Sequence, residues 1–180
     1  RLLPVAAAAA QELAHRAPED CISRTVVIGY DRRFLAPELA EAIAAAVRGC
    51  ELEPLLTETA VPTPACSWAV VERKALGALV ITASHNPPEW LGLKIKGPFG
   101  GSVEGDFTAA VEQRLAVAGI TVPMQTTVER FDGRAEHLEG LRQKLDLAAL
   151  VRGLKAMKLK VIVDPMHGSA AGCVPQLLGA

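Results

Sequence analysis

Short, uninterrupted apolar runs alternate with longer amphipathic segments, and this alternation restricts the fold more than any other feature of the chain. The run TVVIG at Thr25–Gly29 and the run GALVIT at Gly77–Thr82 are too short for a buried helix and carry no polar residue on alternate positions. Such runs read as strands covered on both faces, which is the signature of a parallel sheet. The segments between them have helical spacing. After Pro37, which suits a first helical turn, Leu39, Ile43, Ala46 and Val47 fall on one face before Gly49 ends the helix. A strand is expected near Glu51–Leu56. A helix follows over Pro64–Lys74, with Trp68 and Val71 inward, and another helix precedes the first strand over residues 4–16. Strand, helix, strand, helix, strand in that order implies an α/β fold: a mixed, mostly parallel sheet with helices on both faces.

The second half of the chain is less regular. Gly97, Gly100 and Gly101 mark a turn that should join a further pair of strands, and Phe107–Ala118 reads as a helix. Thr121–Glu129 reads as an extended linker, and Asp132–Lys155 as one helix weakly interrupted at Gly140 and Gly153. LKVIVDPMHGSAAG, residues 159–172, then repeats the earlier grammar: a buried strand, a Gly-rich turn, and a helix from about Val174. We therefore expect a first domain over 1–132 and the incomplete start of a similar second domain over 133–180. The chain opens on Arg1 and stops at Ala180 just after a helix-like run, so both ends are expected to be cut.

Composition narrows the partners. The formal net charge is −1 with mixed signs throughout, which gives no electrostatic footprint for nucleic acid or an anionic membrane. Any anionic substrate has to be caught by local groups. No apolar run approaches a membrane span, and the alanine tract Ala6–Ala10 continues into Gln11, Glu12 and His15, as an amphipathic helix does and a signal-peptide core does not. Cys21, Cys50, Cys66 and Cys173 are widely spaced, without a C-x-x-C pair, and read as reduced, mostly buried thiols of a cytoplasmic protein.

The chemistry concentrates after the Gly77–Thr82 strand, where reactive groups of parallel sheets gather. Ser84, His85 and Asn86 open a loop that Pro87 and Pro88 stiffen, and Lys94 can return to its mouth if Gly92 permits a turn. The result is a hydroxyl, an imidazole, an amide and an ammonium about one pocket, where backbone amides of a tight loop can also converge on an anion. A Ser–His pair alone is an ordinary polar loop. No G-x-S-x-G elbow and no acidic orienter supports a serine hydrolase, and no G-x-x-x-x-G-K-[ST] supports a P-loop.

As a whole, Thr82-Ala83-Ser84-His85-Asn86-Pro87-Pro88 with Gly92 and Lys94 resembles the phosphoserine loop of the α-D-phosphohexomutases, the family that includes phosphoglucomutase and phosphomannomutase. GYDRR at 29–33 is similar to that family's Gly-x-Asp-x-Arg loop. VPTP at 61–64 is similar to the segment ahead of the phosphoserine strand, and VIVDPMHGSAAG at 161–172 to the opening of the second domain. The resemblance covers nearly all of domain one and the start of domain two of a four-domain fold. It departs at Leu91, where many bacterial members carry asparagine.

The resemblance implies a phosphohexomutase acting on a hexose phosphate, with glucose 1-phosphate and glucose 6-phosphate as the first expectation. Phosphomannomutase or a dual enzyme is the same-class alternative, and a non-catalytic phosphate-binding fragment the alternative of another class. It implies that Ser84 carries a phosphoryl group, that its phosphate is one ligand edge of a Mg2+ ion whose other ligands lie outside this sequence, and that glucose 1,6-bisphosphate primes the cycle. Lys94 matches the lysine that acts near the reacting oxygens. His85 either contacts phosphate and shuttles protons or is a structural loop residue, and Asn86 either holds the loop by hydrogen bonds or joins Ser84, His85 and Lys94 in contacting the substrate phosphate. Arg33 either orients the phosphoserine region through a neighbouring carboxylate or makes a surface ion pair. Lys96 is set aside as pointing to the opposite face of a strand from Lys94. His15, His137 and His167 read as surface or packing residues.

Overall fold

A computed structural model describes residues 2–19, 21–115 and 127–179. In chain order its elements are α1 (Leu2–His15), β1 (Thr25–Tyr30), α2 (Ala36–Gly49), β2 (Glu53–Thr57), α3 (Thr63–Glu72), β3 (Gly77–Ile81), β4 (Leu93–Lys96), α4 (Gly105–Leu115), β5 (Glu129–Phe131), α5 (Gly133–Lys144), α6 (Leu147–Ala156) and α7 (Cys173–Leu178). The strands form one sheet in the order β4-β3-β1-β2-β5. β1 lies parallel to both β2 and β3, β5 adds parallel to β2, and β4 alone is antiparallel, on β3. The expected α/β architecture is therefore present, with β1 at its centre.

Sheet residues divide by the period of two. Val26, Ile28, Leu56, Leu79 and Ile81 join a core roofed by α1, α2 and α4, while Val27, Leu55, Ala78, Val80 and Phe131 join a second core under α3. All five alanines of Ala6–Ala10 are fully buried. They let α1 approach α2 and α4 closely, which explains a helix that buries so little side-chain bulk. Cys66, on α3, is the one buried cysteine, and burial pushes its thiol up to about 12. The other three cysteines are half-buried, fewer buried thiols than composition suggested.

α1 is latched to α4 by a buried carboxylate. Glu12, 3% exposed, accepts from Arg16 Nε at 2.6 Å and from Arg114 Nε at 2.6 Å, and Arg16 reaches on to Asp106 at 2.5 Å. Burial alone would raise the Glu12 pKa, but the hydrogen bonds and charges of the two arginines outweigh it and hold the group below its ordinary 4.5.

Several elements depart from expectation, each for a local reason. The segment 132–155 is two helices, because Asp146 accepts a hydrogen bond from Ala149 N at 2.8 Å and starts a new helix while Leu145 is extended. Asp132 caps α5 in the same way. On α3 the inward residues are Ala65, Cys66, Ala69 and Val70; Val71 is exposed, and Trp68 turns to α5. There Gly140 is required by contact and is no mere interruption: a Cβ would sit 2.1 Å from Trp68 Cζ2. The glycine turn after β4 returns only as an isolated bridge between Lys96 and Ser102. The last residues of the expected 107–118 helix and most of the expected 121–129 linker lie outside the described residues, and Glu129 instead begins β5. Residues 159–165 form no strand, and Val161, Ile162 and Val163 are exposed. A strand needs a neighbour for its backbone donors and acceptors, and among the described residues none lies beside this segment.

The latch predicts an acid-sensitive contribution to stability. Because the folded pKa of Glu12 is depressed, the unfolded chain binds the extra proton, so this stabilisation is present above pH 4.5 and is lost as pH falls through the folded value. Glu12→Gln should cost about 1–3 kcal/mol at neutral pH, several degrees of melting temperature in calorimetry. The gap from the parent protein should close as the pH falls below 4.5 and through the lowered folded value; a gap that persists once the carboxyl is protonated would mean charge is not what the latch uses.

Candidate functional site

The parallel register of the two central strands builds the site. Tyr30 lies beside Ile81, and Asp31 N donates to Ile81 O at 3.0 Å, so the ends of β1 and β3 emerge together. The β1 end leads into Asp31-Arg32-Arg33, and the β3 end into Thr82-Ala83-Ser84. Thr82 is buried, and its Oγ1 accepts from Ser84 N at 3.0 Å. Ser84 is left-handed, with φ 58, a conformation that costs a non-glycine residue about 1–2 kcal/mol. Asn86 N then donates to Ala83 O, and Trp90 N to Pro87 O. Thr82 N closes the loop by donating to Gly92 O at 3.0 Å. A Cβ on Gly92 would lie 2.9 Å from Thr82 O, so this return needs glycine.

Arg33 holds the loop from the side. Its Nε donates to Asp31 Oδ2 at 3.2 Å. Nη1 donates to Pro87 O (2.6 Å) and Trp90 O (3.1 Å), and Nη2 to Ser84 O (3.0 Å) and Asn86 O (2.7 Å). These partners use all the N–H groups a guanidinium has. Asp31 in turn accepts from Arg33 N at 3.0 Å. Arg33 thus has no donor left for a phosphate, and its charge is spent on backbone carbonyls and one carboxylate.

The loop borders an open cleft of about 590 Å3, in the range of small-molecule sites. Of the residues expected at the site, Ser84, Asn86 and Arg33 line it. His85 is exposed on the same loop and does not line it. Lys94 is half-buried on β4, opposite Val80, which does line the cleft. Lys96 pairs with Ala78, and Ala78 and Val80 both belong to the α3 core, so Lys94 and Lys96 share one face; their spacing of two requires it. The opposite-face assignment of Lys96 is therefore wrong, and its Nζ instead meets Ser102 Oγ at 3.2 Å. Four polar lining residues were not singled out as site residues from the sequence: Asp31, Arg32, Thr63 and Ser169. Each lies inside a quoted segment (GYDRR, VPTP and MHGSAAG), so the signal was the segment, while the inward position depends on tertiary packing.

The donor set does not make a complete Mg2+ site. No cluster of three or more His, Cys, Asp or Glu suited to a metal occurs among the described residues, and the Asp31 oxygens already serve Arg33. A phosphate on Ser84 would be a single oxygen edge, far short of an octahedral shell.

Arg33→Met should loosen this loop while sparing the sheet. In hydrogen exchange followed by mass spectrometry, amides over 84–92 should exchange at least about tenfold faster, equivalent to about 1.4 kcal/mol. Strand amides of β1 and β2 should hold. Unchanged loop exchange would mean that the prolines and Thr82 suffice.

Comparison with known proteins agrees with this geometry. Residues 3–119 match the family described as phosphoglucomutase/phosphomannomutase, alpha/beta/alpha domain I. A phosphoglucomutase of Staphylococcus epidermidis is 29% identical over 178 residues, covering 93% of this chain and 32% of the relative. A phosphoglucosamine mutase of Synechococcus sp. is 32% identical over 152 residues, covering 84% of this chain and 32% of the relative. Among solved structures, a protein assigned as a phosphomannomutase from Thermus thermophilus superposes with a TM-score of 0.71 at 35% identity, over 83% of this chain and 33% of that one. The chain thus spans about a third of the length of these relatives. Its match over most of its length, with the loop after β3 clamped beside the β1 turn, places it in the phosphoglucomutase/phosphomannomutase family of α-D-phosphohexomutases.

Proposed function

We propose that the protein carrying this chain is a phosphohexomutase that uses Ser84 as its phosphoryl carrier, with glucose 1-phosphate and glucose 6-phosphate as its substrate pair. The observation that carries this reading is Ser84 itself: a left-handed serine at the end of a buried parallel strand, lining a cleft and fixed on both sides by Thr82 and Arg33. A flexible surface serine needs no such support, whereas a group that must give and retake phosphate does. Relatives named for glucose, glucosamine and mannose phosphates share the family, and mannose is the second sugar we would test.

The cycle follows from the chemistry of a phosphate ester. The bond from Ser84 Oγ to phosphorus breaks as a sugar hydroxyl oxygen forms a new bond to the same phosphorus. The hydroxyl gives up its proton, and the serine oxygen takes one. The bisphosphorylated sugar then turns and returns its other phosphate to Ser84, so serine is regenerated as phosphoserine and the sugar is isomerised. Lys94 is assigned to the reacting oxygens, where its charge stabilises the transferring group and its amine can move the proton. Asn86 is assigned to the loop's hydrogen bonds and Arg33 to its support. His85, exposed on the loop, would contact phosphate only when substrate or another part of the protein closes over the cleft. Mg2+ belongs to this reading through the family, with phosphorylated Ser84 as the one ligand edge this chain supplies. Glucose 1,6-bisphosphate is proposed as primer because it phosphorylates an empty serine. We also propose a cytoplasmic location and a domain boundary near residue 132; among the described residues no helix is long and apolar enough to cross a membrane.

Two substitutions in the complete protein test the reading. Ser84→Ala should abolish turnover of glucose 1-phosphate and remove a phosphate mass increment from the peptide spanning 81–97. Retention of activity would refute the mechanism. Lys94→Met should lower kcat by about 10²-fold or more while the melting temperature changes little. A near-normal kcat would make Lys94 a surface residue of β4.

The 180-residue chain alone should show no turnover in a coupled assay for glucose 6-phosphate with primer and Mg2+. Positioning and electrostatics supply most of the rate enhancement in phosphoryl transfer, and this cleft holds only part of both. Activity above a Ser84→Ala control would mean the cleft described here is sufficient.

A further inference from the structure

Besides the Ser84 loop, the cleft is lined by the segment 165–170. Pro165, Met166, Gly168, Ser169 and Ala170 line the cleft, yet the preceding residues 159–163 are exposed and pair with no strand among the described residues. The loop is bent on itself: Met166 N donates to Asp164 Oδ1 at 2.8 Å and Gly168 N to Pro165 O at 2.7 Å. Met166 and His167 are successive left-handed residues, with φ 46 and 59. Such a conformation is costly for side-chain-bearing residues and persists only where the surroundings impose it.

The stretch just after these residues is held from α5. Arg134 Nη1 donates to Ala171 O at 2.6 Å and Nη2 to Ser169 O at 3.0 Å. Arg134 sits in the first turn of α5, which Asp132 caps. α5 is seated on α3 through the Gly140–Trp68 approach and an Arg73–Glu136 ion pair at 2.5 Å. Pro62 and Thr63, at the start of α3, line the same cleft. One rigid path therefore runs from the cleft through α3, α5 and Arg134 to the segment 165–170.

We propose that Arg134 is a positioning residue for the reaction: it sets the 165–171 loop as the second wall of the phosphoserine cleft, besides the Ser84 loop. The proposal rests on the reading of Ser84 as phosphoryl carrier. A planar fork can hold both carbonyls at once, while a lysine ammonium can reach one and a methionine neither. The wall matters because a misplacement of about 1 Å at a reaction site can cost up to about 10²-fold in rate.

The test uses the complete protein and four variants: Arg134→Met, Arg134→Lys, Arg142→Met and Ser84→Ala. Arg142 also lies on α5 but donates to Gln176 O, in α7, so it reports a general loosening of α5 against α7. Assays are run well below each variant's melting temperature. The expected result is at least about a tenfold fall in kcat/KM for glucose 1-phosphate in Arg134→Met, carried mostly by kcat. Arg134→Lys should recover part of it and Arg142→Met should match the parent. Hydrogen exchange should quicken over 166–172 in Arg134→Met and stay unchanged over 84–92. If Arg134→Met does not fold, Arg134→Lys carries the test, with an intermediate kcat/KM expected. A kcat/KM within about twofold of the parent in the folded Arg134 variant, whatever the exchange rates, would overturn the proposal and leave Arg134 a stability residue. An equal fall in Arg142→Met would overturn it too. Turnover by Ser84→Ala would instead refute the phosphoserine reading, so the two failures are distinguishable.

Discussion

The parallel pairing of β1 with β3 is the constraint on which the site depends. Its register sets Tyr30 beside Ile81 and lets Asp31 N reach Ile81 O, so two loops far apart in sequence leave the sheet at one point. Everything at the mouth follows from that. Asp31 is close enough to brace Arg33, and Arg33 is close enough to collect four carbonyls from residues 84–90. A slip of one residue would send every side chain of β1 to the other face of the sheet. The two cores on either side of β1 forbid it, because Val26 and Ile28 belong to one and Val27 to the other. The accuracy of the loop is thus inherited from hydrophobic burial in the sheet.

Magnitudes decide how the loop tolerates Ser84. A left-handed serine costs about 1–2 kcal/mol. A hydrogen bond from a charged donor contributes about 1.5–3 kcal/mol, and Arg33 makes four to the loop backbone, one of them to the serine's own carbonyl. Exposure of the loop and its lost entropy reduce that gain, yet a single bond at the lower end already matches the strain. Pro87 and Pro88 lower the entropy of the open loop as well. Ser84 can therefore be held in a poor conformation without drawing on the stability of the domain.

Where the code was local, the fold could be read from the sequence. β1 and β3 are continuous apolar runs and could be little else, and α2 follows its one-sided spacing. β5 could not be read, because Glu129-Arg130-Phe131 has no strand pattern of its own and becomes a strand by pairing with the edge of β2. The break at Asp146 was readable in principle, since an aspartate three residues before Ala149 is a cap signal, but the leucine spacing through 138–150 outweighed it. The Ser84 loop was legible as a string of residues, and support by Arg33 as one of two alternatives. The carbonyls that Arg33 holds were not, because they lie 51 to 57 residues along the chain and only the strand register brings them together. For the same reason Asp31, Arg32, Thr63 and Ser169 could be placed in meaningful segments but not in the cleft.

The two arginine clamps bear on how an anion can be captured here. With a formal net charge of −1, the chain offers no long-range attraction for an anion. Arg33 and Arg134, whose planar forks would suit a phosphate, instead give them to main-chain carbonyls of the two loops that border the cleft. What they supply is order, since each converts a flexible loop into a fixed edge of the cleft. The cations at or beside the cleft that such an anion would meet are then Arg32, which lines it, and Lys94 on β4, opposite the lining residue Val80. A cleft arranged in this way separates two tasks that one residue type could have performed together. Arginines with their forks committed define the shape, and a smaller set of cations is left for any anion that enters. The geometry around Ser84 is thereby set by the sheet register and the clamps and not by the cations an anion would meet.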